Sequence, residues 1–128
     1  MLRRGFTLLE MLAVVAISGL LSSFAVMAYV QLVERGYKRQ ARDILTSLVA
    51  GEQTYHTVHD TYLALDPASP EAGWEAIQMQ NPNPSDGSVV YTVTNVAGSG
   101  VAATCTATAT RRGRQLTLDQ QGAFGGSW

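Results

Sequence analysis

Arg3-Arg4-Gly5-Phe6-Thr7-Leu8-Leu9-Glu10 opens this 128-residue chain, and the apolar run behind it decides how the rest is arranged. Two cations precede a glycine, and no charged residue occurs from Met11 to Gln31. Phe6 to Val33 reads as a single helical span of 28 residues. At the helical rise per residue it reaches about 42 Å, more than the ~30 Å hydrocarbon core of a bilayer. A secretory signal peptide shares the positive start, and Ala25-Val26-Met27-Ala28 passes as a cleavage site. The apolar run is nevertheless about twice the usual length of such a peptide. A plain single-span anchor accounts for the length and for Arg3 and Arg4 on the cytoplasmic side. It leaves Glu10 unexplained, because a carboxylate at membrane depth is costly unless it has a partner.

Beyond the span, apolar residues recur at Val30, Val33, Tyr37, Ala41, Ile44, Leu45, Leu48, Val49, Tyr55, Val58 and Tyr62. Steps of three and four make this one helical stripe. The opposite face carries Glu34, Arg35, Lys38, Arg39, Arg42 and Asp43. Glu34–Lys38 and Arg39–Asp43 are opposite-sign pairs four apart, each worth about 0.2–0.5 kcal/mol. Gly36 and Gly51 weaken the helix without ending it. The spacing predicts one helix from Phe6 to His59, roughly 80 Å long. Its first half is apolar all round and belongs in lipid or among like helices; its second half, 34–59, packs on a domain. The basic cluster from Arg35 to Arg42 reads as a solvated face, with contact to anionic lipid as the alternative.

Residues 60–87 connect this helix to a sheet and hold all four prolines. Ser69-Pro70-Glu71 reads as an N-cap, a proline at the first helical position and an acid in the first turn. A short helix from Pro70 to Met79 is predicted, burying Trp74 and Ile77. Asn81 to Gly87 is turn chemistry. Residues 88–119 read as strands. Ser88–Val96 puts Val89, Tyr91 and Val93 on one face. Ala102–Thr110 sets Ala103, Cys105, Ala107 and Ala109 against four threonines, so the inward row is small enough for a helix to dock closely. Arg111-Arg112-Gly113-Arg114 reads as a hairpin tip, and Gln115–Asp119 returns with Leu116 and Leu118 inward. Residues 120–128 read as a tail. The fold class is α+β: a long N-terminal helix on a small antiparallel sheet of three to four strands.

Composition removes several functions. The formal charge of −1 argues against a broadly basic nucleic-acid binder. One cysteine permits no internal disulfide. His56 and His59 have no further His or Cys nearby and read as polar residues on a fraying helix end, not as a metal site. No phosphate loop and no nucleophile–base set of believable spacing is present, so neither cofactor nor catalysis is expected.

Arg4-Gly5-Phe6-Thr7-Leu8-Leu9-Glu10, continued through Met11-Leu12-Ala13-Val14-Val15-Ala16-Ile17 to Gly19 and Tyr29, resembles the class III leader of type IV pilins and pseudopilins. The resemblance implies a leader of residues 1–5, a membrane and assembly segment of 6–33 and a globular domain of 34–128. It implies that a prepilin peptidase cuts between Gly5 and Phe6 and methylates the new amine of Phe6. It makes Glu10, with Thr7, the assembly residues, Glu10 facing the amine of a neighbouring subunit. The partners implied are other pilins in a helical filament and an inner-membrane assembly platform. The location implied is the inner membrane, N-terminus inside, followed by an extracellular pilus or a periplasmic pseudopilus. Glycine suits the cut because the backbone can lie close to the protease.

Two departures from the family pattern stand out. Met27 replaces a frequent proline, so no proline kink is expected. Ser18, Gly19, Ser22 and Ser23 instead gather small residues in mid-span, where helices can pack closely or the helix can unwind. Cys105 matches the first of two usual cysteines, while Gly126 or Ser127 stands at the second. The expected C-terminal loop is thus unclosed, leaving the tail to be ordered by Trp128 packing or by neighbours. The expected role is a structural subunit of a type IV pilus serving motility, adhesion or DNA uptake. One alternative is a pseudopilin of a type II secretion system. The calcium site usual in the major pseudopilin needs clustered oxygens, and only Asp119 among carboxylate residues falls in the last forty residues. Another is a minor DNA-binding pilin using Arg111, Arg112 and Arg114. Loss of the leader leaves seven basic against ten acidic residues, a formal charge of −3. A three-arginine tip would then give weak, salt-sensitive contact with phosphates.

Overall fold

A computed structural model describes residues 6–85 and 87–128. Leader residues Arg3, Arg4 and Gly5, and Asp86 in the connecting loop, lie outside the described residues. Helix α1 runs from Leu8 to His59 and α2 from Glu71 to Ala76. Strands β1 (Val90–Ala97), β2 (Thr104–Arg111), β3 (Arg114–Asp119) and β4 (Phe124–Ser127) follow. They form one antiparallel sheet in the order β1-β2-β3-β4. The chain divides into two compact units, residues 1–37 and Lys38–Trp128.

In the first unit every described residue from Phe6 to Leu32 is exposed. No side chain covers this apolar surface, and a helix apolar on all sides belongs in lipid or among other such helices. Its length and composition suffice to cross a membrane. The mid-span hydroxyls are satisfied within the helix: Ser22 Oγ donates to Ser18 O at 2.8 Å and Ser23 Oγ to Gly19 O at 3.0 Å. Ser18, Gly19, Ser22 and Ser23 therefore sit in unbroken α-helix.

In the second unit α1 buries Ala41, Leu45, Leu48, Val49 and Glu52. The sheet offers the small row Ala103, Cys105, Ala107 and Ala109, flanked by Tyr91, Val93, Leu116 and Leu118. Each large side chain so buried contributes about 1.5–3 kcal/mol. Val58, predicted inward, is exposed. It lies in the last turn of α1, just before Asp60 caps the helix in the left-handed region (φ 56) and sends its N–H to His56 O.

Helix α2 is shorter than predicted and buries Trp74, with Ile77 buried just past its end. Its N-cap is Pro70, not Ser69. The Ser69 hydroxyl is already engaged, donating to Asp66 Oδ1 and accepting from Asp66 N. Gly51 serves this contact: a Cβ there would strike Ile77 O. The outer edge of β1 is sealed by the connecting loop. Leu65 and Val93 exchange backbone bonds of 3.1 and 2.7 Å. Asn83 imitates a strand beside Tyr91, accepting from its N–H at 2.6 Å and donating to its carbonyl at 3.1 Å.

The segment read as a tail contains β4, paired to β3 from Phe124↔Leu118 to Ser127↔Gln115. A main-chain ladder thus orders the C-terminal region. A disulfide from Cys105 to the 126–127 position has no room. Ser127 is level with Gln115 and Thr110, and Cys105 lies five residues further along β2, about 17 Å away. A disulfide needs Cα atoms within about 7 Å. Gly126 adopts φ +94, and a Cβ on it would strike Gln115 O, so glycine is required for β4 to approach β3.

Candidate functional site

The start of α1 is built from Thr7 and Glu10. Thr7 precedes the first helical residue, and Glu10 is three residues on. The Glu10 carboxylate accepts from Thr7 N and from Thr7 Oγ1, both at 3.1 Å. Glu10 N donates to Thr7 Oγ1 at 3.2 Å, and Met11 N to Thr7 O at 3.3 Å. This is a reciprocal capping box, which satisfies backbone donors that a helix start leaves open. The sequence reading missed it, although Thr-x-x-Glu before an apolar run is its signature. The geometry turns Glu10 toward the chain start, onto the residue that follows Phe6. Phe6 is itself exposed. Glu10 also places negative charge at the positive end of the helix dipole. It is the sole carboxylate residue between Phe6 and Val33.

Residues 1–26 match the family described as the prokaryotic N-terminal methylation motif. The chain carries a class III prepilin leader, the hallmark of type IV pilin-like proteins. The match covers about a fifth of the chain and includes every residue of the capping box. No curated protein and no solved structure matches the chain. The motif supports a type IV pilin-like or pseudopilin protein, a structural role rather than an enzymatic one. It suggests processing by a prepilin peptidase and assembly with other pilins, and with the apolar helix it fits membrane insertion before assembly.

The structure separates the three arginines proposed for the hairpin tip. Arg111 belongs to β2 and is only 7% exposed, whereas Arg112 and Arg114 are exposed. Arg112 and Gly113 both have positive φ (50 and 79), which makes the two-residue turn type I′. Arg111 and Arg114 pair across the hairpin just inside that turn. The basic tip is therefore two residues wide.

The histidines do not fray. His56 is half-buried, with Nε2 2.9 Å from Gly100 O and its ring stacked on Tyr62. His59 stacks on Tyr55. Among the described residues no group of three or more His, Cys, Asp or Glu gathers.

One carboxyl escaped the sequence reading. Glu52 is wholly buried on the sheet-facing side of α1. Its Oε2 accepts from Leu63 N at 2.8 Å, and Oε1 has no partner among the described residues. Burial raises its pKa from 4.5 to about 7, outweighing the opposing Leu63 hydrogen bond. Cys105 is buried in the adjacent sheet row, and its thiol is pushed up to about 12 by burial and then by the charges of Glu52 and Asp119. Tyr62 is raised by burial and then by Cys105 and Glu52. The Glu52 carboxyl holds the start of the connecting loop to α1, and that loop seals β1 two residues later at Leu65.

Proposed function

We infer that this chain is a filament subunit of a type IV pilus. In this reading it enters the inner membrane as a prepilin, N-terminus inside, and is cut between Gly5 and Phe6 with methylation of the Phe6 amine. It then polymerises through residues 6–33. The observation that supports this is the pairing of a methylation motif with a helix whose first 27 described residues, Phe6 to Leu32, are all exposed. Such a surface is stable in lipid, and the cheapest replacement for lipid is a bundle of identical helices.

Glu10 supplies the register. Cleavage creates a cation at Phe6, and both groups then leave the bilayer interface for a helix bundle. A cation buried there requires an anion, and removal of one member of a buried pair costs about 3–5 kcal/mol. Subunits docked out of register would bury both charges unpaired. Within its own chain Glu10 is held by Thr7; in the filament the carboxylate turns to the amine of the adjoining subunit, and Thr7 helps to aim it.

Glu10→Ala tests the reading. The variant is expected to insert and to be cleaved normally while filament yield falls below detection. Wild-type filament yield from Glu10→Ala would refute it.

A further inference from the structure

We propose that the basic end of the globular domain is a docking surface for anionic phospholipid headgroups, holding the membrane-anchored subunit against the bilayer before assembly. The fold gathers this surface from two distant parts of the sequence. Lys38, Arg39 and Arg42 lie on α1, beginning five residues after Val33 closes the span. Lys38 Nζ donates to Trp128 O at 3.3 Å, and the Arg42 guanidinium lies 5.1 Å over the Phe124 ring. Strand β4 therefore lies along this part of the helix. Because Ser127 pairs with Gln115, one further step of the ladder sets Trp128 opposite Arg114. The β2–β3 turn, with Arg112 and Arg114 exposed, thus arrives at the same end of the domain as Lys38.

Two acids lie near this end, Glu34 one turn before Lys38 and Asp43 beside Arg42, against the five basic residues Lys38, Arg39, Arg42, Arg112 and Arg114, so the patch stays net positive. Glu71 and Glu75 belong to α2, whose neighbour Ile77 packs on Gly51. Asp60 caps the far end of α1. From Lys38 to Asp60 the helix climbs about 33 Å, several times the ~8 Å screening length at physiological ionic strength. The distant acids do not cancel the field at the basic end. Each basic residue near an anionic leaflet is worth about a fivefold preference. Lys38 lies only five residues after Val33, so the tether is short and even modest attraction suffices. A broad patch shared by a helix and a turn suits a planar layer of phosphates. Duplex DNA would favour a projecting tip, and the burial of Arg111 removes one third of that tip. The inference rests on reading residues 6–33 as a membrane span.

The full chain in vesicles tests it. Trp128 lies beside the patch, its carbonyl accepting from Lys38 Nζ, so the part of the energy transfer to a headgroup-labelled lipid that Trp128→Phe removes reports docking. The Trp128-dependent transfer is expected in vesicles containing phosphatidylglycerol, to be weak in phosphatidylcholine alone and to fall in high salt, with Trp128→Phe leaving the Trp74 background. Arg112→Ala with Arg114→Ala should lower the ratio of docked to undocked chain roughly thirtyfold. An alkaline carbonate wash of the same vesicles shows separately whether the chain is inserted. Inserted chain giving equal transfer in both lipids, or transfer unmoved by salt and by the double variant, overturns the proposal. Chain washed out by carbonate overturns the span reading instead, and this proposal with it. Loss of transfer when duplex DNA is added at matched phosphate concentration would show that the patch selects nucleic acid, and would also overturn it.

Discussion

Replacing Glu52 by Gln should remove most of the domain's sensitivity to pH between weakly acidic and neutral conditions. Glu52 is sealed between α1 and the sheet, with one oxygen on Leu63 N and the other without a partner. Unfolded, its carboxyl titrates near 4.5; folded, it titrates near 7. Between those values the folded protein holds a proton that the unfolded chain releases, so stability falls as pH rises. The contribution is fully present below 4.5 and is lost by the time pH passes about 7. The gap corresponds to about 3 kcal/mol, a large share of the stability of a small domain. Glutamine stays neutral throughout, and its amide oxygen can still accept from Leu63 N–H. Urea unfolding of the full chain in detergent, wild type against Glu52→Gln, isolates this group because His56 and the other acids are common to both. The two proteins should be nearly equal at pH 4. By pH 8 the variant should be the more stable by about 3 kcal/mol, a midpoint shift of about 1–2 M urea. A difference that does not change with pH would refute the reasoning.

Other perturbations probe the contacts that shape the domain. Gly51→Ala should destabilise it by about 1–3 kcal/mol in thermal melts, because the strike on Ile77 O outweighs the gain in helix propensity. Asn83→Ala should leave Tyr91 N–H and C=O unpaired at the edge of β1, costing about 1–3 kcal/mol and raising amide exchange there. Cys105 should resist iodoacetamide at neutral pH until the domain unfolds, since its thiol is buried and its pKa pushed up to about 12.

The parts legible in the sequence were those governed by periodicity. The α1 stripe through Ala41, Leu45 and Leu48 and the alternation from Ala103 to Ala109 mark their buried faces directly, because period 3.6 and period 2 are properties of the backbone. Glu52 occupies the same stripe, four residues after Leu48, yet apolar patterning passes over a carboxyl whatever its position. Strand β4 was illegible for a related reason. Phe124-Gly125-Gly126-Ser127 has neither alternation nor β-branching, and its pairing depends on the close approach that Gly126 permits. Arg111 was misjudged because a run of three arginines around a glycine hides which residue is last in β2. The type I′ turn at Arg112 and Gly113 decides it. At the N-terminus the leader motif was plain, whereas the capping box stood in the same residues and was read as assembly chemistry alone.

The central claim is that Gly5–Phe6 is cut, Phe6 is methylated and the chain then enters filaments through Glu10. Intact-mass and N-terminal fragment spectra of protein from sheared surface filaments test it directly. The account predicts a chain beginning at N-methylated Phe6, present in the sheared fraction of wild-type cells and absent from the sheared fraction of cells expressing Glu10→Ala. Filaments containing the chain with residues 1–5 still attached, or containing it equally with Ala at position 10, would contradict the account.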